Sequence, residues 1–303
     1  MLPPRQYGKN LLLAKKIIIR QEYGQLGNIM FRLANALGFA IEHGYRVEDY
    51  TLAFCNYHDG SSNIRFFEIY HPFQFFEFPR PKFCLSNRIK WKLKDRCHRR
   101  TERIENFDPT FDLQKLDTSK SYELNGFHFS SGELAFKHRS QICDILGFKN
   151  FEVLPIENLI NEAKKSYDVL LGVHIRQNDY KGFYDGKFYL SPEQYLQSVE
   201  HFKSLYLPTR RIGVIICSDD KEALQKIQDK HPDYLCPRGT TAQDMYALSR
   251  CDYNIGPKAT TMSTWASFIG KTMLLQIEKN IDTFELANFK KVQLLEPFNP
   301  FFN

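Results

Sequence analysis

Residues 169–175 read Val-Leu-Leu-Gly-Val-His-Ile, and Arg176, Gln177, Asn178, Asp179 and Tyr180 follow at once. A run with His174 as its one polar position cannot be the alternating strand of a half-solvated sheet. It suits a strand covered on both faces, and parallel sheets flanked by helices supply that cover. In open parallel sheets ligands sit just past the strand carboxyl ends. The run therefore predicts an α/β fold and delivers His174, Arg176 and Asp179 to a ligand-facing edge. A planar guanidinium donates two parallel charged hydrogen bonds, a geometry that matches phosphate.

The neighbouring sequence extends this sheet. Ser191-Pro192-Glu193-Gln194 opens a helix with an N-cap, a proline at the first helical position and a capping-box glutamine. Ile212–Cys217 is a strand, and Ser218-Asp219-Asp220 starts a helix running to about Gln228. A helix around Ala242–Ser249 leads to a strand at Tyr253-Asn254-Ile255. Gly256-Pro257 turns the chain toward a helix holding Trp265 and Phe268, and Met273–Ile277 is a last strand. Such alternation predicts a doubly wound parallel sheet. The first half opens similarly. A strand over Lys16–Arg20 is broken by the glycine loop Gly24–Asn28, and a helix carrying Met30, Phe31, Leu33, Ala34, Leu37 and Ile41 stops at His43-Gly44. The Phe- and Pro-rich stretch 50–125 assigns no elements. The expected division is an N-terminal domain over 15–155, a nucleotide-binding domain over 156–280, and a tail over 281–303 that packs back on the fold.

Composition narrows the class. With 43% hydrophobic and 15% aromatic residues the chain can build real cores. No apolar run approaches the roughly 20 residues that span a bilayer. The opening lacks the order of a secretory signal, because Leu11-Leu12-Leu13 soon meets Lys15-Lys16. Seven cysteines with no Cys-x-x-Cys spacing argue against a disulfide framework or a zinc ribbon, so a cytoplasmic protein is expected. The net charge is +6. Arg88, Lys90, Lys92, Lys94, Arg96, Arg99, Arg100 and Arg103 stand against Asp95 and Glu102, so this stretch holds the whole excess. It reads either as a solvated face or as a peripheral contact with anionic lipid headgroups, at about 1 kcal/mol per basic residue. No recognition motif accompanies it, and nucleic acid is not an expected partner.

Three strand–loop junctions share one edge of the expected sheet: His174/Arg176/Asp179, Ser218/Asp219/Asp220 and Thr260/Thr261/Ser263. They offer a cation, a carboxylate able to accept from a ribose or a guanine edge, and hydroxyls with backbone N–H groups at a helix start. Together they describe a nucleotide diphosphate pocket without a Walker loop or a Gly-x-Gly-x-x-Gly fingerprint. No Asp-x-Asp or His/Cys cluster offers a metal site, and no metal or cofactor is expected. Each junction has a plainer alternative. Ser-Asp-Asp and Thr260–Ser263 serve equally as helix caps, His174 as a core histidine, and Arg176 as half of a structural ion pair.

The motifs resemble one family. Gly24-Gln25-Leu26-Gly27-Asn28-Ile29-Met30-Phe31 is similar to the Gly-Gly-Leu-Gly-Asn-Gln-Met-Phe opening of the bacterial α-1,2-fucosyltransferases. Residues 172–180 resemble their His-x-Arg-Arg-Gly-Asp-Tyr motif, and Gly126-Phe127-His128-Phe129-Ser130 their Gly-Tyr-Phe-Gln-Ser segment. Cys217-Ser218-Asp219-Asp220 is similar to Phe-Ser-Asp-Asp, and residues 256–268 resemble the closing Ser-Thr-Phe-Ser-x-Trp-Ala stretch. The resemblance implies a GT-B architecture, two Rossmann-like domains facing a cleft, with GDP-fucose as donor, inversion at the anomeric carbon and no metal. It assigns Arg176 to the β-phosphate, His174 and Asp219 to the guanine with Asp220 as a substitute, and Ser218, Thr260, Thr261 and Ser263 to the donor. Gly27 and Asn28 would reach the donor from the N-terminal domain, with His128 and Ser130 on the acceptor side. The acceptor implied is an oligosaccharide or lipid-linked glycan, at the inner membrane if the basic segment docks there.

The departures are specific. Gln177 replaces the family's second arginine, Asn178 its glycine, Ile29 the opening glutamine, Phe129 the middle glutamine and Met262 the last phenylalanine. Asp179 is the first candidate for the base that deprotonates the acceptor, and it serves equally as a partner of Arg176. Asp185 and His128 are further candidates. Rival readings are a transferase for another GDP-sugar, a binding homologue without turnover, and a basic-patch adaptor.

Overall fold

The structure is a computed structural model that describes residues 15–19, 26–49, 67–69, 101–106, 111–126, 129–148, 150–206, 208–279 and 283–293. The chain forms two compact units that divide between Leu146 and Gly147, with Phe67 and Glu68 belonging to the second.

In the first unit the strands β1 (Lys16–Ile19), β2 (Arg46–Asp49), β3 (Thr101–Asn106) and β4 (Ser121–Gly126) pair in the order β2-β1-β4-β3, all parallel. The isoleucines of β1 are fully buried. Helix α1 (Leu26–His43) follows β1 and is buried over most of its length. It starts earlier than the glycine loop suggests, so Leu26, Gly27 and Asn28 form its first turn. Leu26 and Ile29 are buried on the apolar face that Met30 and Leu33 continue, and that burial outweighs the cost of glycine in a helix. Gly44, at φ +70°, ends it as expected. At Gly38 the backbone of α2 (Leu134–Lys137) comes so close that a Cβ would lie 2.7 Å from the Ala135 nitrogen. Ser131 donates through N and Oγ to Asn35 Oδ1 at 3.0 and 2.9 Å, fixing the approach to α2. β3 and β4 lie in the stretch to which no elements were assigned. Their sequences, Thr-Glu-Arg-Ile-Glu-Asn and Ser-Tyr-Glu-Leu-Asn-Gly, carry too little apolar signal to declare a strand. Of the basic segment 88–103, residues 88–100 lie outside the described residues, and Glu102 and Arg103 make surface ion pairs with Lys120 and Glu105.

Helix α3 (Arg139–Ile145) ends the first unit, and the second opens with α4 (Asn150–Ser166), a helix that runs through Pro155 and across the 155/156 position. Next come β5 (Val169–Ile175), α5 (Pro192–Ser204), β6 (Ile212–Ser218), α6 (Lys221–Lys230), α7 (Thr241–Ser249), β7 (Tyr253–Pro257), α8 (Thr261–Gly270), β8 (Met273–Ile277) and β9 (Lys290–Lys291). The sheet order is β9-β8-β7-β5-β6, parallel except for β9. Every β5 residue is buried, as its unbroken apolar run requires. Val169, Leu171, Val173 and Ile175 share a core with Tyr195, Val199 and Phe202 of α5. On the other face Gly172 admits α7 and β7, since a Cβ there would meet Asn254, Leu248 and Cys251 side chains. The chain does not turn at Gly256-Pro257. β7 continues through both and pairs with Gln276 and Ile277, because a proline without an N–H is tolerated at a strand end. The turn comes at Ala259, at φ +69°. Of the tail, Phe284 and Phe289 join the core of this unit. Among the described residues no helix is long and apolar enough to cross a membrane.

Candidate functional site

β5 lies between β6 and β7, so three carboxyl ends stand side by side. His174 pairs in register with Cys217, Ile175 with Ser218, and Val173 with Ile255. Arg176 is the first residue past β5. Its Nε and Nη2 each lie 2.8 Å from an Asp179 oxygen, a two-pronged ion pair, and its Nη1 lies 3.3 Å from Asp219 Oδ2. The side chain is 14% exposed and Asp179 is 50% exposed, so the pair opens to solvent on the aspartate side. Burial by itself would lower the Arg176 pKa. The Asp179 hydrogen bonds and the charges of both aspartates outweigh it and hold the pKa above its ordinary value.

Asp219 does more than pair with Arg176. Its carboxylate accepts from the backbone N–H of Gln177 at 2.8 Å and of Asn178 at 3.3 Å, and its carbonyl accepts from Asn178 Nδ2 at 2.7 Å. The carboxylate assigned by resemblance to guanine is therefore turned onto the arginine loop. Burial pushes its pKa up despite Arg176 and these two N–H groups. Gln177 is buried, and its amide donates to Leu190 O at 2.8 Å and Arg176 O at 3.1 Å, closing the loop from 176 to 190. Where the family places a second cation, this chain places a loop tie.

His174 is 1% exposed, with Nδ1 3.5 Å from Thr260 Oγ1. Burial first, and then the Arg176 charge, push its pKa down to about 3, so the imidazole is neutral near neutral pH. Thr260 caps α8, its Oγ1 accepting from Met262 N at 3.3 Å. It also hydrogen-bonds the buried Tyr180 hydroxyl, whose pKa burial raises. Thr261 begins the helix and is partly buried. Ser263 is fully buried against Gly256, and its Oγ has no hydrogen-bond partner among the described residues. It faces the sheet and not the edge. Ser218 Oγ accepts from Asp220 N at 3.1 Å, and Asp220 caps α6 through Glu222 N and Ala223 N. Asp219 thus meets Arg176 directly, Ser218 stands opposite Ile175 just before it, and Thr260 meets His174 and Tyr180, while Asp220 and Ser263 serve the framework.

In the first unit Gly27 and Asn28 lie in the first turn of α1. Ser130 bridges Asp112, and its Oγ accepts from Gly132 N at 3.0 Å. His128 lies outside the described residues. Asp185 is exposed on the loop beyond Tyr180.

Sequence reading missed Asp244. It is 8% exposed in the first turn of α7, where Cys217 Sγ, at the end of β6, meets its backbone oxygen at 3.6 Å. Leu235 forms a parallel bridge with Ile215, so a further segment runs alongside β6 before α7 begins. Thr240 and Gln243 form a capping box, and an acid just after one reads as an exposed first-turn residue. The signal available was Tyr234-Leu235-Cys236, a short apolar run able to add an edge segment to the sheet. The edge as a whole can hold a diphosphate between a largely buried, doubly oriented arginine and a helix N-terminus, with the partly buried Asp219 and the buried Asp244 on the β6 side. Among the described residues no group of three or more His, Cys, Asp or Glu side chains is placed to hold a metal ion.

This arrangement belongs to a known class of fold. No family model matches the chain, and no curated protein matches its sequence. Solved structures do match in shape. A fucosyltransferase NodZ from Bradyrhizobium superposes with TM-score 0.57 at 16% identity, covering 88% of this chain and 97% of that one. The FUT1 structure from Arabidopsis thaliana, a mutant in complex with GDP, gives 0.53 at 11% identity, covering 94% and 75%. POFUT1 in complex with GDP-fucose gives 0.51 at 11% identity, covering 84% and 94%. At these identities the likeness is one of fold: the chain has the GT-B fold of the fucosyltransferase structures.

Proposed function

We propose that this protein is an inverting, metal-independent glycosyltransferase that moves L-fucose from GDP-fucose to a glycan hydroxyl. The observation that carries the reading is Arg176. It is a largely buried cation, set by two aspartates at the carboxyl edge of a parallel sheet beside the N-terminus of α8, in a fold whose solved examples bind GDP and GDP-fucose. The five sequence motifs favour an α-1,2 linkage to galactose, and the basic run at 88–103 favours a lipid-linked acceptor at an anionic membrane face.

The chemistry follows from the groups. The acceptor hydroxyl attacks the anomeric carbon from the face opposite the diphosphate and passes its proton to the half-exposed Asp179 carboxylate, the bond to the β-phosphate oxygen breaks, and negative charge grows on departing GDP. Arg176 and the α8 N–H groups near Thr260 and Thr261 meet that charge. One well-placed donor contributes about 3–4 kcal/mol to such a step. Asp179, both of whose oxygens accept from Arg176, orients the cation, and Asp219 fixes the loop that carries it. His174, neutral and behind Thr260, supports the same wall. Asp244 and Ser218 lie on the β6 side, to which this reading assigns the nucleoside. Gly27, Asn28, His128 and Ser130 enter on the resemblance alone. A second reading, nucleotide binding without turnover, draws on Gln177, which supplies a loop tie where the family has a charge.

The test is a thermal-shift titration with GDP, GDP-fucose, UDP and ADP, with and without EDTA. A ligand at 100 times its dissociation constant stabilises by about 2.7 kcal/mol. Shifts are expected with GDP and GDP-fucose alone, unchanged by EDTA. No response to either overturns the reading.

A further inference from the structure

The loop that leaves Arg176 carries a feature the donor chemistry does not use. Phe183 and Tyr184 are 38% and 39% exposed, and the other large hydrophobic side chains exposed in the described residues, Phe136 and Leu154, lie elsewhere in the chain. The two rings meet edge to face, with centroids 4.5 Å apart at 85°. Phe183 also stacks on Tyr180, at 5.5 Å and 18°. Tyr180 is buried, and its ring lies 5.9 Å from the Arg176 guanidinium carbon. An aromatic stack therefore runs from the buried cation outward to solvent.

The loop is also held in a costly conformation. Tyr184, Asp185 and Gly186 have φ of 47°, 53° and 71°, three successive left-handed residues of which only one is glycine. Such strain persists where contacts over-determine it, and it gathers at functional sites. Here Phe183 N donates to Asp179 O at 2.9 Å, Lys187 N to Tyr184 O at 3.0 Å, and Lys279 Nζ to Gly186 O at 2.7 Å. Lys279 lies just past β8, whereas Asp219 and Asp244 lie at the end of β6. In the order β8-β7-β5-β6 the loop is thus tied toward the side away from Asp219 and Asp244, where the proposed function puts the nucleoside.

A fixed, exposed aromatic pair beside an anion cradle, one ring set edge-on to the other, offers a ring face to a pyranose. The C–H groups on one face of a hexose carry partial positive charge and meet the negative face of an aromatic ring, while its hydroxyls remain hydrated. We propose that Phe183 and Tyr184 form the acceptor platform. On it a hexopyranose stacks and presents a ring hydroxyl toward the diphosphate held by Arg176. This inference rests on the function proposed above for the donor side of the same edge.

The experiment is saturation-transfer NMR with methyl β-galactoside, lactose and N,N′-diacetylchitobiose in the presence of GDP. It compares the native chain with Phe183→Ala/Tyr184→Ala and with Phe183→Leu/Tyr184→Leu, which keeps apolar bulk without a π face. Ring C–H saturation is expected with at least one saccharide and should fall at least tenfold in both variants, with GDP affinity within twofold of native. Three results overturn the proposal: undiminished saccharide signal in the variants, no saccharide signal from the native chain, or a tenfold loss of GDP affinity, which would make the rings a nucleobase contact. If the native chain binds no GDP, the function falls, yet saccharide signal without nucleotide still reads the platform separately.

Discussion

The two parallel sheets of this protein treat buried charge in opposite ways. In the first unit Glu48 is 1% exposed in the middle of β2, and its partners Lys16 and Arg46 come from the same sheet at 2.9 and 3.7 Å. That charge is spent within the framework. In the second unit the buried charge stands one residue past β5, and its partners Asp179 and Asp219 come from loops. Moving a charge from strand interior to strand end changes what can reach it. The lesson is that ligand chemistry in such folds is decided by where along the strand the ion sits.

The largest break in this contrast is Arg176→Ala. It is expected to reduce fucosyl transfer by 10²–10³-fold, the rate equivalent of about 3–4 kcal/mol. Arg176→Lys should recover little, because an ammonium lacks the fork that Asp179 holds. Initial rates with GDP-fucose and an accepted glycan measure both, and unimpaired transfer in Arg176→Ala would remove the distinction between the two sheets.

A smaller effect compares the close contacts. Gly38→Ala drives a Cβ into the backbone of α2, at Ala135 and Leu134, which cannot rotate away. Gly172→Ala meets the side chains of Asn254, Leu248 and Cys251, which can shift in part. Overpacking costs about 1–3 kcal/mol, and Gly38→Ala is expected at the top of that range with Gly172→Ala below it. Urea unfolding orders them, and the reverse order would show that the second core is the less yielding.

The smallest effects are in acid. His174 titrates near 6.5 when unfolded and near 3 when folded, because of burial and then Arg176. Its share of stability is full above pH 6.5 and is lost as pH falls toward 3. Glu42 is held down to about 2 by hydrogen bonds from Lys137 and then His138, so its share is full above about 4.5 and is lost between there and 2. Melting temperature against pH should flatten in the upper window for His174→Gln and, more weakly, in the lower for Glu42→Gln. A change confined to the other window would refute the assignment.

Much of the second unit was legible because its elements declare themselves locally. The unbroken apolar run of β5, the Ser191–Gln194 start and the Met273–Ile277 strand each carry their own signal, and the structure has all three. The start of α1 was misread because glycines at 24 and 27 suggested a loop while burial of Leu26 and Ile29 decided for helix. Strands β3 and β4 were unreadable because their stability comes from pairing with β1 and with each other, not from an apolar pattern of their own.

The sequence by itself determined the parallel α/β character, the order of elements after residue 166 and the delivery of Arg176 to a strand end, because periodicity and caps act over a few neighbouring residues. Only tertiary structure decided what each polar group does there. Asp219 turns onto the arginine loop, Ser263 under the sheet, Gln177 across to Leu190, and Asp244 packs against Cys217 from 25 residues beyond Asp219. The physical reason is that a side chain's partner at a sheet edge is set by strand order, and strand order follows from burying both faces of the sheet at once. No short stretch of sequence contains that condition.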